Sequence, residues 1–153
     1  MNNQKLLKMK TKIKKDWFNR VKSIQELHND SILWISEINF INDEMRFLEH
    51  LLSAKYIDCL SSGLTKKIEI SVEKITDEKK VGKALLQLIL KQENVLSNLI
   101  ETNSVTCNKN FLETHKKLEI EIDNYVKKYK RIKKQIFNII EKVMKKKEQK
   151  KLL

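Results

Sequence analysis

Apolar residues return along most of this chain every seven positions, in alternating steps of three and four. An α-helix turns every 3.6 residues, so this spacing gathers the apolar side chains into one stripe along a helix. A half-buried strand would instead alternate at period two. In the first segment Ile24, Ile38, Met45 and Leu52 share one position of the repeat, and Leu27, Trp34, Ile41 and Leu48 fill the other. Ile35, Phe40, Phe47 and Leu51 widen the stripe, as expected of a helix that contacts two neighbours. The pattern predicts a helix over 17–61, stopped by Ser61-Ser62-Gly63, where glycine can take the left-handed conformation that closes a helix.

A second stripe runs through Ile68, Val72, Ile75, Gly82, Leu86, Ile89, Leu96 and Ile100, backed by Val81, Leu85 and Leu88, and predicts a helix over 65–101. Gly82 either faces a bulky residue of a neighbour or is simply tolerated there. A polar, aperiodic stretch follows. Asn110 with Glu113 resembles a capping box and predicts a third helix over 110–147. There Phe111, Leu118, Tyr125, Ile132 and Ile139 alternate with His115, Ile122, Tyr129, Ile136 and Val143, and residues 148–153 are expected to fray. The two connections are short, so the expected architecture is all-α: a long antiparallel up-down-up three-helix bundle, coiled-coil-like, preceded by a basic extension over 1–16. The alternative is an extended coiled coil that completes its core by self-association.

Composition narrows the function classes. No proline and only two glycines, Gly63 and Gly82, occur in 153 residues, which argues against β-sandwiches, barrels and Gly-rich nucleotide loops. No apolar run approaches the ~20 residues of a membrane span. The basic N-terminal stretch lacks the apolar region and cleavage site of a signal peptide. Cys59 and Cys107 are far apart with no CxxC, so a reducing, cytoplasmic setting is expected.

The run Trp34-x-x-Glu37-Ile38-x-Phe40-x-x-Asp43-Glu44-x-x-Phe47-Leu48-Glu49 resembles a signature of small uncharacterised bacterial helical proteins. In these a Trp-x-x-Glu-Leu-x-Phe-x-x-Asp-Glu helix opens a three-helix coiled-coil bundle. Phe111-Leu112-Glu113-Thr114 through Tyr125, Tyr129 and Val143-Met144 is similar to their closing helix. The resemblance spans roughly residues 24–145 and implies the bundle fold. It implies no activity, because that family has no assigned function.

Charge is unevenly spread. Residues 1–22 carry eight Lys/Arg against Asp16, and residues 127–151 carry twelve against Glu141 and Glu148. The stretch between holds twelve basic and seventeen acidic residues. An acidic body with basic ends suggests anionic surfaces, with Lys5, Lys8, Lys12, Lys15, Lys145, Lys146 and Lys147 as contacts. Nucleic acid is not favoured, because separated poles neutralise fewer phosphates than a continuous face and no recognition motif is present. Leu6, Met9, Ile13, Trp17 and Val21 share one helical face, and Lys5, Lys8, Lys12, Lys15 and Lys22 lie on another. Such a helix suits a membrane surface or a partner's groove. The favoured reading is that the first helix simply begins early, since the stripe runs in phase into Ile24.

Catalytic and cofactor chemistry finds no foothold. With hairpins near residues 62 and 106, position n of the first helix lies level with n + 87 of the third, which brings His28 level with His115, near Asn94, Ser97 and Glu101. His28, His115 and Glu101 are the only metal candidates. The Glu-x-x-His spacing of bundle metal sites does not occur, so a polar layer that sets register is favoured. Glu37 and Glu44 share a helix face, where an ion-paired surface is the ordinary outcome. Ser61-Ser62-Gly63 lacks the strand-turn-helix context of a nucleophile elbow. The expected function is a non-enzymatic interaction or scaffold protein with an unidentified protein partner. The alternative is a module for anionic membrane or nucleic-acid surfaces.

Overall fold

A computed structural model describes residues 21–102 and 109–152. These residues are all-helical, with no strand among them: α1 (Ile24–Ala54), α2 (Tyr56–Ser62), α3 (Thr65–Glu101) and α4 (Lys109–Leu152) pack together. The basic extension over 1–16 lies outside the described residues.

The start of α1 corrects the expected boundary. Residues 21–23 are not helical, and Ser23 is the N-cap, with extended backbone (φ −69°, ψ 162°). Its Oγ accepts from the Glu26 backbone N–H at 3.2 Å, a Ser-x-x-Glu start that satisfies one of the unpaired N–H groups of the first turn. The in-phase stripe before Ile24 therefore does not belong to one unbroken helix. A second correction falls at Lys55 (φ −94°, ψ 0°), where the regular ladder is interrupted and α2 begins as a separate short helix. The expected stop is present: Gly63 has φ 76°, a left-handed conformation that glycine adopts without a Cβ penalty.

At the other end, Asn110 is the second residue of α4, already inside the helix, with the Thr114 hydroxyl donating to its carbonyl at 2.9 Å. The expected fraying also gives way, because α4 continues to Leu152. Near that end the Lys150 Nζ donates to the Ser61 carbonyl at 2.9 Å.

The main core joins Trp34, Ile38, Ile41, Met45, Leu48 and Leu52 of α1 with Cys59, Ile68, Ile75, Leu85 and Ile89, and with the α4 row from Leu118 to Val143. A smaller cluster of Ile24, Leu27, Leu96 and Phe111 closes the opposite end. Fully buried positions follow the strict three-four spacing, about two residues per heptad, and the wider stripe expected from sequence forms only in part, with Ile35 and Leu86 half-buried against the core. Phe40, Phe47, Val72, Val81, Leu88 and Ile100 are exposed, while Ser31, Ser71 and Glu78 are buried in their stead. The serines satisfy themselves: Ser31 Oγ donates to the Leu27 carbonyl and Ser71 Oγ to the Lys67 carbonyl, each one turn back.

Gly82 does face a bulky neighbour. A Cβ placed there would lie 2.6 Å from the Tyr125 hydroxyl oxygen and 3.0 Å from Cζ, so the bare backbone of α3 seats the end of the phenol from α4. Gly82→Ala is expected to destabilise the fold by about 1–3 kcal/mol through overpacking, despite alanine's higher helix propensity. In a Tyr125→Phe background the penalty should shrink, since only the ring carbon remains to give way. A double-mutant cycle of urea midpoints measures this coupling, and simple additivity would contradict the packing assignment.

Candidate functional site

The polar groups of the helices sort into rows flanking the apolar stripe. On α1, Asp30, Glu37 and Glu44 recur every seven residues and point to the α4 side. At the far end of this row Tyr129 OH donates to Glu44 Oε1 at 2.6 Å, and Lys133 Nζ lies 2.5 Å from the same oxygen. Burial pushes the Glu44 carboxyl up, but hydrogen bonds from Lys133 and Tyr129 and the charge of Lys133 outweigh it, so the net value lies below the usual carboxylate range. Burial and the Glu44 hydrogen bond hold the Tyr129 phenol well above its ordinary value.

Near the start of α1, the His115 ring is almost completely buried and lies against Trp34, with centroids 4.6 Å apart and planes tilted by 33°. Phe111 stacks on the same imidazole at 6.4 Å. His115 Nε2 donates to Asp30 Oδ2 at 2.9 Å, and Lys22 Nζ meets that oxygen at 2.7 Å. Among the described residues, His115 Nδ1 has no hydrogen-bond partner.

Beside this cluster, between α1 and α4, lies a groove of about 720 Å³. Leu27, Trp34, Ile122 and Val126 give it an apolar floor, while Glu37, Glu119 and Asp123 are carboxylates on its walls. Val21 and Lys22, the first described residues, line it as well. Space, apolar walls and a few charged groups make this a place to seat an amphipathic segment.

The sequence candidates fall elsewhere. His28 Nδ1 pairs with Glu93 of α3, His115 pairs with Asp30, and Glu101 is exposed at the end of α3, so the three do not converge. Asn94 and Ser97 are exposed, not part of a polar layer. Among the described residues no group of three or more His, Cys, Asp or Glu is placed to hold a metal ion. Lys5, Lys8, Lys12 and Lys15 lie outside the described residues. Lys145 pairs with Glu141 one turn back, Lys146 Nζ donates to the Ser62 carbonyl at 2.7 Å, and Lys147 lies 3.3 Å from Asp58. Lys146 and Lys150, which donates to the Ser61 carbonyl, thus meet the C-terminal carbonyls of α2, where a cation is favoured by the helix dipole. Cys59 is free and fully buried, and burial with the nearby Asp58 charge pushes its thiol up, which disfavours thiolate chemistry.

Sequence reasoning missed Asp30 and Glu93 as the partners of the two histidines. The signal available was the seven-residue row Asp30–Glu37–Glu44, of which only Glu37 and Glu44 stood out. Glu78 was missed too. It is buried at an apolar position of α3, held by Lys128 at 3.3 Å, and faces Tyr125. No family model, curated protein or solved structure matches this chain.

Tyr125 and Glu44 make stability depend on pH, and Tyr129 acts in the same alkaline direction as Tyr125. Burial, then the charge of Glu78, pushes the Tyr125 phenol up to about 12, against an unfolded value of about 10. The unfolded chain therefore loses its proton first. Stability present below pH ~10 should fall as pH rises towards 12, by order of 2 kcal/mol for this group. Tyr125→Phe should make that alkaline limb shallower, with the part due to Tyr129 remaining. For Glu44 the sign reverses: its contribution is present above the unfolded carboxylate range and is lost as pH falls through the lower folded value. Denaturant midpoints against pH, with Glu44→Gln for the acid limb, check both.

Proposed function

We propose that this protein is a non-enzymatic interaction module, an up-down-up bundle in which α1 and α2 together form the first arm. Its recognition surface is the outer face of α1. The observation that carries this reading is the row Leu33, Phe40 and Phe47, spaced by seven residues and 58–64% exposed. Large apolar side chains in register on one helix face mark a seat for a partner helix, since burying each contributes about 1.5–3 kcal/mol. The bundle arrangement is supported by two sets of pairs. His28–Glu93 and Glu49–Lys79 run in opposite senses along α1 and α3, whereas Asp30–His115 and Glu44–Tyr129 keep one offset of 85 residues between α1 and α4.

The chemistry of the partner follows from charge. Exposed Glu37 and Asp43 flank this row, with Arg46 paired to Asp43, so a basic amphipathic helix would meet more attraction than a second copy of the same face. A cytoplasmic setting accords with the buried free thiol of Cys59. Among the described residues, no helix is long and apolar enough to cross a membrane. The anionic-surface reading stands second, because Lys146, Lys147 and Lys150 are engaged with α2.

Titration calorimetry with a synthetic Leu/Lys heptad peptide, and with a Leu/Glu peptide as its charge-reversed control, tests the proposal. The Leu/Lys peptide is expected to bind, and Leu33→Gln, Phe40→Gln and Phe47→Gln together are expected to weaken it at least tenfold without changing helix content. Equal binding by the triple variant, or equal binding of both peptides, would sink this reading.

A further inference from the structure

We propose that the groove between α1 and α4 binds a small amphipathic amine, whose N–H groups meet His115 and the groove's carboxylates while its apolar body lies on Trp34. The site stands apart from the row Leu33, Phe40 and Phe47, none of which lines the groove.

The buried imidazole points to a donor. His115 is 2% exposed and is itself a lining residue of the groove. Its Nε2 proton is spent on Asp30 at 2.9 Å, so in the neutral ring Nδ1 is an acceptor. Among the described residues that acceptor has no partner. A buried acceptor left unpaired is costly, and a ligand N–H that reaches it recovers the lost hydrogen bond.

Charge narrows the donor to a cation. Three carboxylates line the groove, Glu37 from α1 with Glu119 and Asp123 from α4, against two lysines, Lys22 and Lys116. Lys22 is committed elsewhere, since its Nζ lies 2.7 Å from Asp30 and only 4.0 Å from Glu119. Glu37 has no ion-pair partner among the described residues, and Asp123 has only the exposed Lys127 at 2.8 Å. An ammonium group meets attraction here, whereas an organic acid meets repulsion and brings no N–H to His115. A bare metal ion is a poorer fit, because no group of three or more His, Cys, Asp or Glu among the described residues is placed to hold one.

The rest of the groove calls for an apolar body on that cation. Leu27, Trp34 and Ile122 are buried lining residues, and Val21 and Ile120 are exposed ones that a ligand would cover. The volume of about 720 Å³ lies within the range of about 300–1,000 Å³ usual for small-molecule sites. An indole at the floor also favours a positive charge over its face. An alkyl or aryl amine therefore satisfies the orphaned nitrogen, the carboxylates and the apolar floor together.

Amide and indole NMR shifts of the full-length chain, titrated with tryptamine and separately with indole-3-propionate, test this. Tryptamine is expected to bind saturably, with its largest shifts at the Trp34 indole N–H and the amides of residues 112–126. Its affinity should exceed that of the acid by about tenfold or more. His115→Gln keeps an N–H for Asp30 but offers nothing in place of Nδ1, and should weaken tryptamine about threefold or more with helix content unchanged. Glu119→Gln with Asp123→Asn, both at exposed positions where the fold is not at stake, should weaken it about fivefold or more. Leu33→Gln, Phe40→Gln and Phe47→Gln together should leave tryptamine binding unchanged, which separates this site from the partner surface. Absence of saturable shifts would overturn the proposal, as would equal affinity for the acid. So would binding indifferent to the Glu119/Asp123 pair, or largest shifts on the outer face of α1.

Discussion

The seating of the Tyr125 phenol against the bare backbone at Gly82 brings α3 and α4 close at one point of their shared core. A side chain larger than hydrogen at residue 82 would meet the Tyr125 hydroxyl and ring, which would have to shift. With the two helices held there, Lys128 reaches the buried Glu78, Lys74 Nζ donates to Gln135 at 3.0 Å, and Gln92 comes within reach of the Phe111 carbonyl. The same register delivers His115 to Asp30 and Tyr129 to Glu44 on the other side of α4. One helix, α4, thus satisfies two neighbours.

The boundary between α1 and α4 is closed at one end and open at the other. Towards Glu44 the α1–α4 boundary is closed by a phenol and a lysine on one carboxylate. Towards Asp30 it opens into the groove, with Glu37, Glu119 and Asp123 standing around it. At the opposite pole the lysines of α4 meet the carbonyl end of α2, which explains why the helix runs on where its apolar stripe has faded. The fold is therefore a core of ordinary helix packing with its functional options displaced to flanks and ends.

Much of this was legible from residue spacing. The three-four repeat predicted helices, Ser61-Ser62-Gly63 predicted the stop that Gly63 makes, and the glycine within the second stripe raised the close approach that Tyr125 fills. The n + 87 register came within two residues of the observed offset of 85 between Asp30 and His115. What escaped was local chemistry that competes with periodicity. Ser23 and Glu26 cap α1 and interrupt a stripe that, by phase alone, continued upstream. Ser31, Ser71 and Glu78 are buried because a serine can bond its own preceding turn and Glu78 has Lys128 to answer its charge, neither of which a count of apolar residues records. Phe40 and Phe47 pointed the other way: apolar by type, they were assigned to the core yet face outward.

By itself, then, the sequence determined the all-helical class, the narrow apolar stripes and the acidic body between basic ends, because each depends only on spacing along one chain. Tertiary structure alone decided which histidine met which carboxylate, that Leu33, Phe40 and Phe47 form an exposed row, and that a groove opens between α1 and α4. Those outcomes depend on the rotation and separation of helices packed side by side. A rotation of a few tens of degrees, which leaves the heptad pattern untouched, exchanges a buried position for an exposed one.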